Sequence, residues 1–286
     1  MIIFNNWVFN LVLSILFVVV FTQFFKVATK KSSNDGALTV IAQLISGLSI
    51  LVLIPFFSWQ FPTDWKIWFF LLLAIVFYAI NDRLHTTTRK NLDISTENIT
   101  RQLSKVFLII IGLIIFKEEF VLLKILGGLI IIISNMLLFV KKKSFVFDKY
   151  IVLQMISVLC FTIAIALDVG ISNNFNLPVY ISLTLVVPAL LISLIERISI
   201  KKIKQEYIGG DKSAIWITGI AWGLSILFGL RAYILGDVIT VSPLTSLSVL
   251  LNVLLAYIFL GEKESLLRKI ISAIGIIIGV LLITLG

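Results

Sequence analysis

One stretch near the C-terminal end, Ile239–Ser265 (ITVSPLTSLSVLLNVLLAYIFLGEKES), restricts the fold more than any other part of the chain. It is apolar over a length that crosses a hydrocarbon core, for which a helix needs about 20 residues. A helix is forced there, because backbone N–H and C=O groups in lipid have no water to bond. Small polar residues recur at Ser242, Thr245, Ser248 and Asn252, a spacing that gathers them on one face and predicts that this face is wet. The stretch Ser95–Val121 (STENITRQLSKVFLIIIGLIIFKEEFV), 144 residues earlier, has the same plan, with Glu118 where the later copy has Glu262. Gly128 stands in step with Ser272, and Asn135 with Gly279. The chain of 286 residues reads as two copies of one unit, residues 1–143 and 144–286.

Composition decides what surrounds these helices. With 59% hydrophobic and 14% charged residues and a mean hydropathy of +1.11, no soluble domain of this length could cover its apolar surface. The fold class expected is an all-α polytopic membrane protein with ten transmembrane helices. The spans read as Trp7–Ala28, Leu38–Phe57, Trp68–Thr86, Ile94–Phe116, Leu122–Val140, Ile151–Gly170, Val179–Ile195, Ala214–Leu235, the opening stretch and Ile270–Leu285. Trp7–Ala28 is kept as a span because it lacks the basic leader and small-residue cleavage pattern of a signal peptide. Lys141–Lys143 is the linker between halves, and Glu196–Lys212, broken at Gly209-Gly210, is the longest loop. Five spans per half is an odd number, so the second half enters with opposite polarity. The halves then form two inverted five-helix repeats, as in many secondary transporters.

Orientation follows from lysine and arginine. Loops after the odd-numbered spans hold 18 of the 24, and the opposite loops hold Lys66, Lys117 and Lys124. Such residues collect on the cytoplasmic side, so Glu196–Lys212 is expected in the cytoplasm and both termini outside. The net charge of +9 is mostly this collar facing anionic lipid, and calls for no nucleic acid. A cysteine placed at Ser199 in a Cys160→Ala background tests the assignment. It is expected to resist an impermeant thiol reagent added to intact cells, and labelling from outside reverses the orientation.

Charge inside a span is the second informative feature, since Arg, Lys or Asp at a helix centre costs about 2.5–3.5 kcal/mol on insertion scales. On the fourth span Glu97, Arg101 and Lys105 lie four apart and form one stripe, with Lys105 deepest. On the third, Tyr78 and Asp82 share a face with His85 and Arg89, the hairpin between the two spans turning near Arg89 and Lys90. Arg101 and Lys105 would supply positive charge to a cavity, balanced by Asp82 and Glu97. The alternative is a closed Asp82–Arg101 pair that only fixes helix packing. Arg231, near the outer end of the eighth span, is either a gate or a snorkelling side chain. Thr245 and Asn252 complete the candidate set, Asn252 because a mid-span amide needs hydrogen-bond partners. Close helix packing, where Ser and Thr are common, is the competing explanation of that polar stripe. Glu118 and Glu262 read as structural anchors at helix turns, and Trp7, Trp59, Trp65 and Trp68 as an interfacial belt.

The eighth and ninth spans, from Arg231-Ala232-Tyr233 through Gly236-Asp237 and Ser242-Pro243 to Leu260-Gly261-Glu262, resemble the second EamA repeat of the drug/metabolite transporter superfamily. The first copy departs from that pattern, with Ile99 in place of Pro243 and charged residues where the family is usually neutral. The resemblance implies a ten-helix carrier whose first, third, fourth, sixth, eighth and ninth helices surround a central cavity. It also implies cytoplasmic termini, the reverse of what the charge asymmetry indicates. The asymmetry is followed, because the loops are short and the bias is large.

No P-loop, zinc-ligand cluster or nucleophile–base set occurs, which argues against an enzyme or an ATP-driven pump. No cofactor or metal is expected, and the lone Cys160 in an apolar span supports neither a disulfide nor a metal site. The function expected is secondary active transport of a small polar organic metabolite, such as an amino acid or another anion or zwitterion, by alternating access in the plasma membrane. The partners are then a small-molecule substrate, the lipid bilayer and a coupling proton or counter-substrate, with the protein a monomer or homodimer. Multidrug or cation export, flipping of a lipid-linked sugar and a non-transporting membrane role are the alternatives. The Arg101–Lys105 stripe, whose counterparts Thr245 and Val249 are neutral, together with a first span that carries no acid, favours the anion or zwitterion.

Overall fold

The computed structural model describes residues 5–92, 94–139, 149–260 and 266–286, and no strand occurs among them. The linker Lys141–Lys143 and Glu262 lie outside the described residues, as does the side chain of Glu97. The described helices are α1 (Trp7–Lys30), α2 (Asp35–Ile50), α3 (Trp65–Asn91), α4 (Ile94–Ile114), α5 (Leu122–Phe139), α6 (Lys149–Ile171), α7 (Leu177–Ile195), α8 (Ile200–Gly209), α9 (Lys212–Leu235), α10 (Val238–Thr245), α11 (Leu247–Leu260) and α12 (Leu266–Leu285). Six of these segments, α1, α2 with its 3-10 extension, α3, α6 with its own, α7 and α9, are long and apolar enough to cross a membrane. Large aliphatic side chains such as Leu16, Leu72, Ile110, Ile133 and Ile274 point outward. Polar ones such as Gln154, Ser157, Asp168 and Asn176 are buried. This inside-out distribution is that of an α-helical membrane protein.

Helix ends follow local chemistry. Asn6, Asn34, Asn176 and Asp211 cap α1, α2, α7 and α9 through their side-chain oxygens. Beyond Ile50, α2 tightens into a 3-10 turn over Leu51–Phe56, where Pro55 brings no N–H to the ladder. The helices then pair across the two halves of the chain: α1 against α9, α3 against α6, α5 against α12, and α2 against α7 and α9. Helix α4 lies against α5, α6 and α10. The α5–α12 contact is backbone on backbone, since a Cβ added to Gly127 would lie 2.5 Å from the Gly279 carbonyl oxygen.

Three expectations are corrected. First, α3 runs on to Asn91 and is still helical at Arg89 and Lys90, so the turn of the α3–α4 hairpin lies beyond Asn91.

Second, the supposed loop Glu196–Lys212 contains helix α8, capped by Ser199. Ile203 and Tyr207, four apart on α8, pack under it. Its buried Glu206 accepts bonds from Ser33 N (3.1 Å), Ser33 Oγ (2.7 Å) and Asn34 N (2.9 Å), which ties α8 to the α1–α2 turn. The breaker Gly209-Gly210 ends this helix and does not prevent it.

Third, the stretch Ile239–Leu260 is not one helix. It breaks at Ser246 into α10 and α11, with Ser246 N bonded to Pro243 O at 3.0 Å and Val249 N to Ser246 O at 2.9 Å. Pro243 cannot donate to the ladder, and nearby hydroxyls take up the exposed carbonyls: Thr245 Oγ1 donates to Ser242 O and Ser248 Oγ to Thr245 O. Helix α4, which has Ile99 144 residues before Pro243, runs unbroken from Ile94 to Ile114.

Glu118 shows what an anchor does here. Lys117 takes a left-handed conformation (φ 55°), and Glu118 N bonds back to Gly112 O at 3.0 Å. The Glu118 carboxylate then accepts from Val238 N (2.7 Å) and Ile239 N (2.9 Å), the first free donors of α10. A negative charge on a helix N-terminus satisfies both orphan N–H groups and the helix dipole. Gly112 makes room, because a Cβ there would lie 2.9 Å from Glu118 Oε2.

Candidate functional site

A polar seam runs along α3 where it faces α2, α6 and α7. Thr88 Oγ1 donates to Gln154 of α6, and Thr86 and Thr39 share a hydroxyl bond at 2.9 Å. Further along, Asp82 accepts from Gln43 Nε2 of α2 (2.6 Å) and from Asn81 Nδ2 (2.9 Å). Asn81 Oδ1 in turn accepts from Ser157 Oγ of α6 at 2.9 Å. One turn from Asp82, Tyr78 Oη donates to Asp168 Oδ2 at 2.6 Å, and Tyr180 Oη of α7 donates to Asp168 Oδ1 at 2.6 Å. The expected Tyr78–Asp82 stripe is therefore one helical face that serves two separate clusters.

Helix α4 brings the cations. The Arg101 guanidinium lies over the Phe161 ring of α6, 5.7 Å from its centroid, and within electrostatic range of Asp82. Lys105, one turn on, is partly buried, and among the described residues it has no hydrogen bond or ion pair. Between them Gln102, itself buried, accepts from Ser246 Oγ at 3.1 Å. The cationic helix thus meets the second half at the break between α10 and α11. Asn252 of α11 accepts from Gln23 Nε2 of α1 at 2.9 Å and donates to Ser248 O, so its amide is satisfied across a helix interface.

No family model and no curated protein sequence matches the chain. Its fold, however, recurs. A solved structure described only as "Crystal structure of protein" superposes with a TM-score of 0.70 over 96% of this chain and 98% of that one, at 13% identity. At that identity the likeness concerns fold alone.

Not every candidate sits on the seam. Arg231 lies near the C-terminal end of α9, where it donates to Asn5 Oδ1 at 2.7 Å and stacks on Phe57. With Phe57, Gln60, Ser172 and Asn173 it lines a separate recess of about 150 Å3. Thr245 turns its hydroxyl to its own backbone at the helix break.

The sequence reading passed over Asp168 and Tyr180. Asp168 had a signal, an acid inside the apolar run Ile151–Gly170. Tyr180 had none, because a tyrosine near a span end reads equally well as an interfacial residue.

Proposed function

We propose that the chain is a secondary active carrier of the EamA-like drug/metabolite transporter type, with ten spans in two inverted halves, moving a small anionic or zwitterionic metabolite such as an amino acid. The observation that carries this reading is the contact of α4, the helix that bears Arg101 and Lys105, with the interruption between α10 and α11 through Gln102 and Ser246. Interrupted helices inside a bundle, whose broken ends point at the substrate, are how many carriers build a substrate site. In the ten-span count α8 lies outside the membrane, and α10 and α11 together make one span.

Three features support the inverted pair. Helices α4 and α10 begin at Ile94 and Val238, equivalent positions of the two copies. Gln102 and Ser246, bonded to each other, are separated by the repeat interval of 144 residues. A contact between equivalent residues is what a two-fold axis produces. Exchanging the halves also turns the α1–α9 pair into the α6–α3 pair and leaves the α2–α7 and α5–α12 pairs as they are.

The sign of the substrate follows from charge. Two cations a helical turn apart repel each other strongly where water is scarce, and Lys105 has no ion pair among the described residues. A carboxylate or phosphate on the substrate completes the balance, whereas a lipophilic cation would add to the repulsion. With no nucleotide-binding motif in the chain, a solute or ion gradient supplies the energy.

Proteoliposomes offered labelled amino acids and, in parallel, a cationic dye are expected to exchange an amino acid and leave the dye untouched. Proton-driven dye efflux that disappears in Glu97→Gln would overturn this choice in favour of multidrug export.

A further inference from the structure

Asp168 plays no part in the substrate site proposed above, yet it is 3% exposed inside an apolar bundle. Its polar contacts are two phenols, each donating to a different carboxylate oxygen at 2.6 Å: Tyr78 from α3 and Tyr180 from α7. The charged and titratable groups on the elements packed around it are occupied elsewhere. Asp82 on α3 is held by Gln43 and Asn81, Arg101 on α4 lies over Phe161, and Arg231 on α9 contacts Asn5 and Phe57. Lys105 on α4 and Cys160 on α6 make no hydrogen bond to it. The charged form of Asp168 thus rests, among the described residues, on two hydroxyl donors and no cation.

A hard metal cation takes six or more oxygen ligands. Here the two hydroxyl hydrogens already point at the carboxylate and would face any metal. A proton is the occupant that fits. Desolvation of a carboxylate and the return from two charge-assisted hydrogen bonds are of comparable size, so the neutral form is within reach.

We infer that Asp168 is a proton-binding site whose protonation releases α3 from α6 and α7. A proton from water adds to one carboxylate oxygen, which becomes an O–H donor. The phenol that donated to that oxygen must turn to accept or move away, while the other oxygen, now a carbonyl, keeps its phenol. Tyr180 is 12 residues from Asp168 in the same half and fully buried, whereas Tyr78 comes from the other half, 90 residues away. The bond that gives way is Tyr78–Asp168, a tie between the halves. That this release couples a proton to transport rests on the carrier reading; the proton site itself does not.

Infrared difference spectra of the reconstituted full-length protein, recorded across pH, test the site. A titrating protonated-carboxyl band is expected, lost in Asp168→Asn and kept in Asp82→Asn. Spin labels at Leu72→Cys on α3 and Leu190→Cys on α7, in a Cys160→Ala background, should report a distance that changes with pH and stops changing in Asp168→Asn. If Asp168→Asn does not fold, Tyr78→Phe is read instead: the band persists and the distance no longer responds to pH. A titrating band that survives in Asp168→Asn, or a pH-dependent distance that survives in Tyr78→Phe, overturns the proposal. Titration of Asp168 without any solute exchange sustains the proton site and removes the carrier reading. Solute exchange with no titrating band does the reverse.

Discussion

Lys105→Met is expected to cut solute exchange roughly 10- to 100-fold while leaving the protein folded. Methionine matches lysine in length and in helix propensity, and it relieves the bundle of a partly buried charge, so helix content and unfolding temperature should stay at or slightly above their usual values. Lys105 bonds to no described residue that its loss would strand. What disappears is a charge-assisted contact to the substrate's anionic group, worth about 1.5–3 kcal/mol. That is roughly a 10- to 100-fold loss of affinity. Exchange by proteoliposomes at sub-saturating substrate should fall by that factor, and Lys105→Arg should recover part of it, since the charge returns with a different reach. Undiminished exchange by Lys105→Met removes this residue from the site. A collapse in folded yield would instead mean that Lys105 holds the helices together.

Gly279→Leu should be the most damaging single change to the fold. On α12 a Cβ at this position would lie 2.6 Å from the Gly127 carbonyl oxygen and 2.6 Å from Ile131 Cγ1. One of these is backbone and cannot swing aside, so α5 and α12 must separate along their whole contact. Overpacking of this kind costs about 1–3 kcal/mol or more. Close backbone approach at small residues is also a main source of helix association in lipid. Even Gly279→Ala should destabilise, although alanine is favoured over glycine in a helix by about 1 kcal/mol. Gly170→Leu is the control, because a Cβ on Gly170 meets nothing within 4 Å. Detergent-solubilised Gly279→Leu should unfold well below the unmodified protein and Gly170→Leu close to it. Equal unfolding temperatures for the two variants would falsify the α5–α12 contact.

The candidate site was legible in part. Residues four apart on one helix share a face, so Arg101 with Lys105 and Tyr78 with Asp82 were found as stripes. Spacing does not say which neighbour each member meets. Asp82 goes to Gln43 of α2 and Tyr78 to Asp168 of α6, because both helices pack along the same stretch of α3 and the partner met depends on which polar side chain each presents at that level. Asn252 was singled out for its need of partners, and it finds one in Gln23, on a helix 229 residues away along the chain. The break between α10 and α11 is half written in the sequence: Pro243 marks the place, but whether the chain continues, kinks or restarts there depends on hydroxyls nearby and on what packs against Ser246.

By itself, the sequence determined the membrane class and the helical content. These rest on local or additive physics, apolar runs that lipid forces into helices. It marked Gly279 as a position kept small in step with Asn135, but could not say that Gly127 would face it. Tertiary structure alone decided that contact, the docking of α8 through Glu206, the capping of α10 by Glu118, and the enclosure of Asp168 by two tyrosines. Each joins side chains or backbones from separate helices, and their distance is set by helix rotation and height, quantities summed over every packed residue and written at no single position.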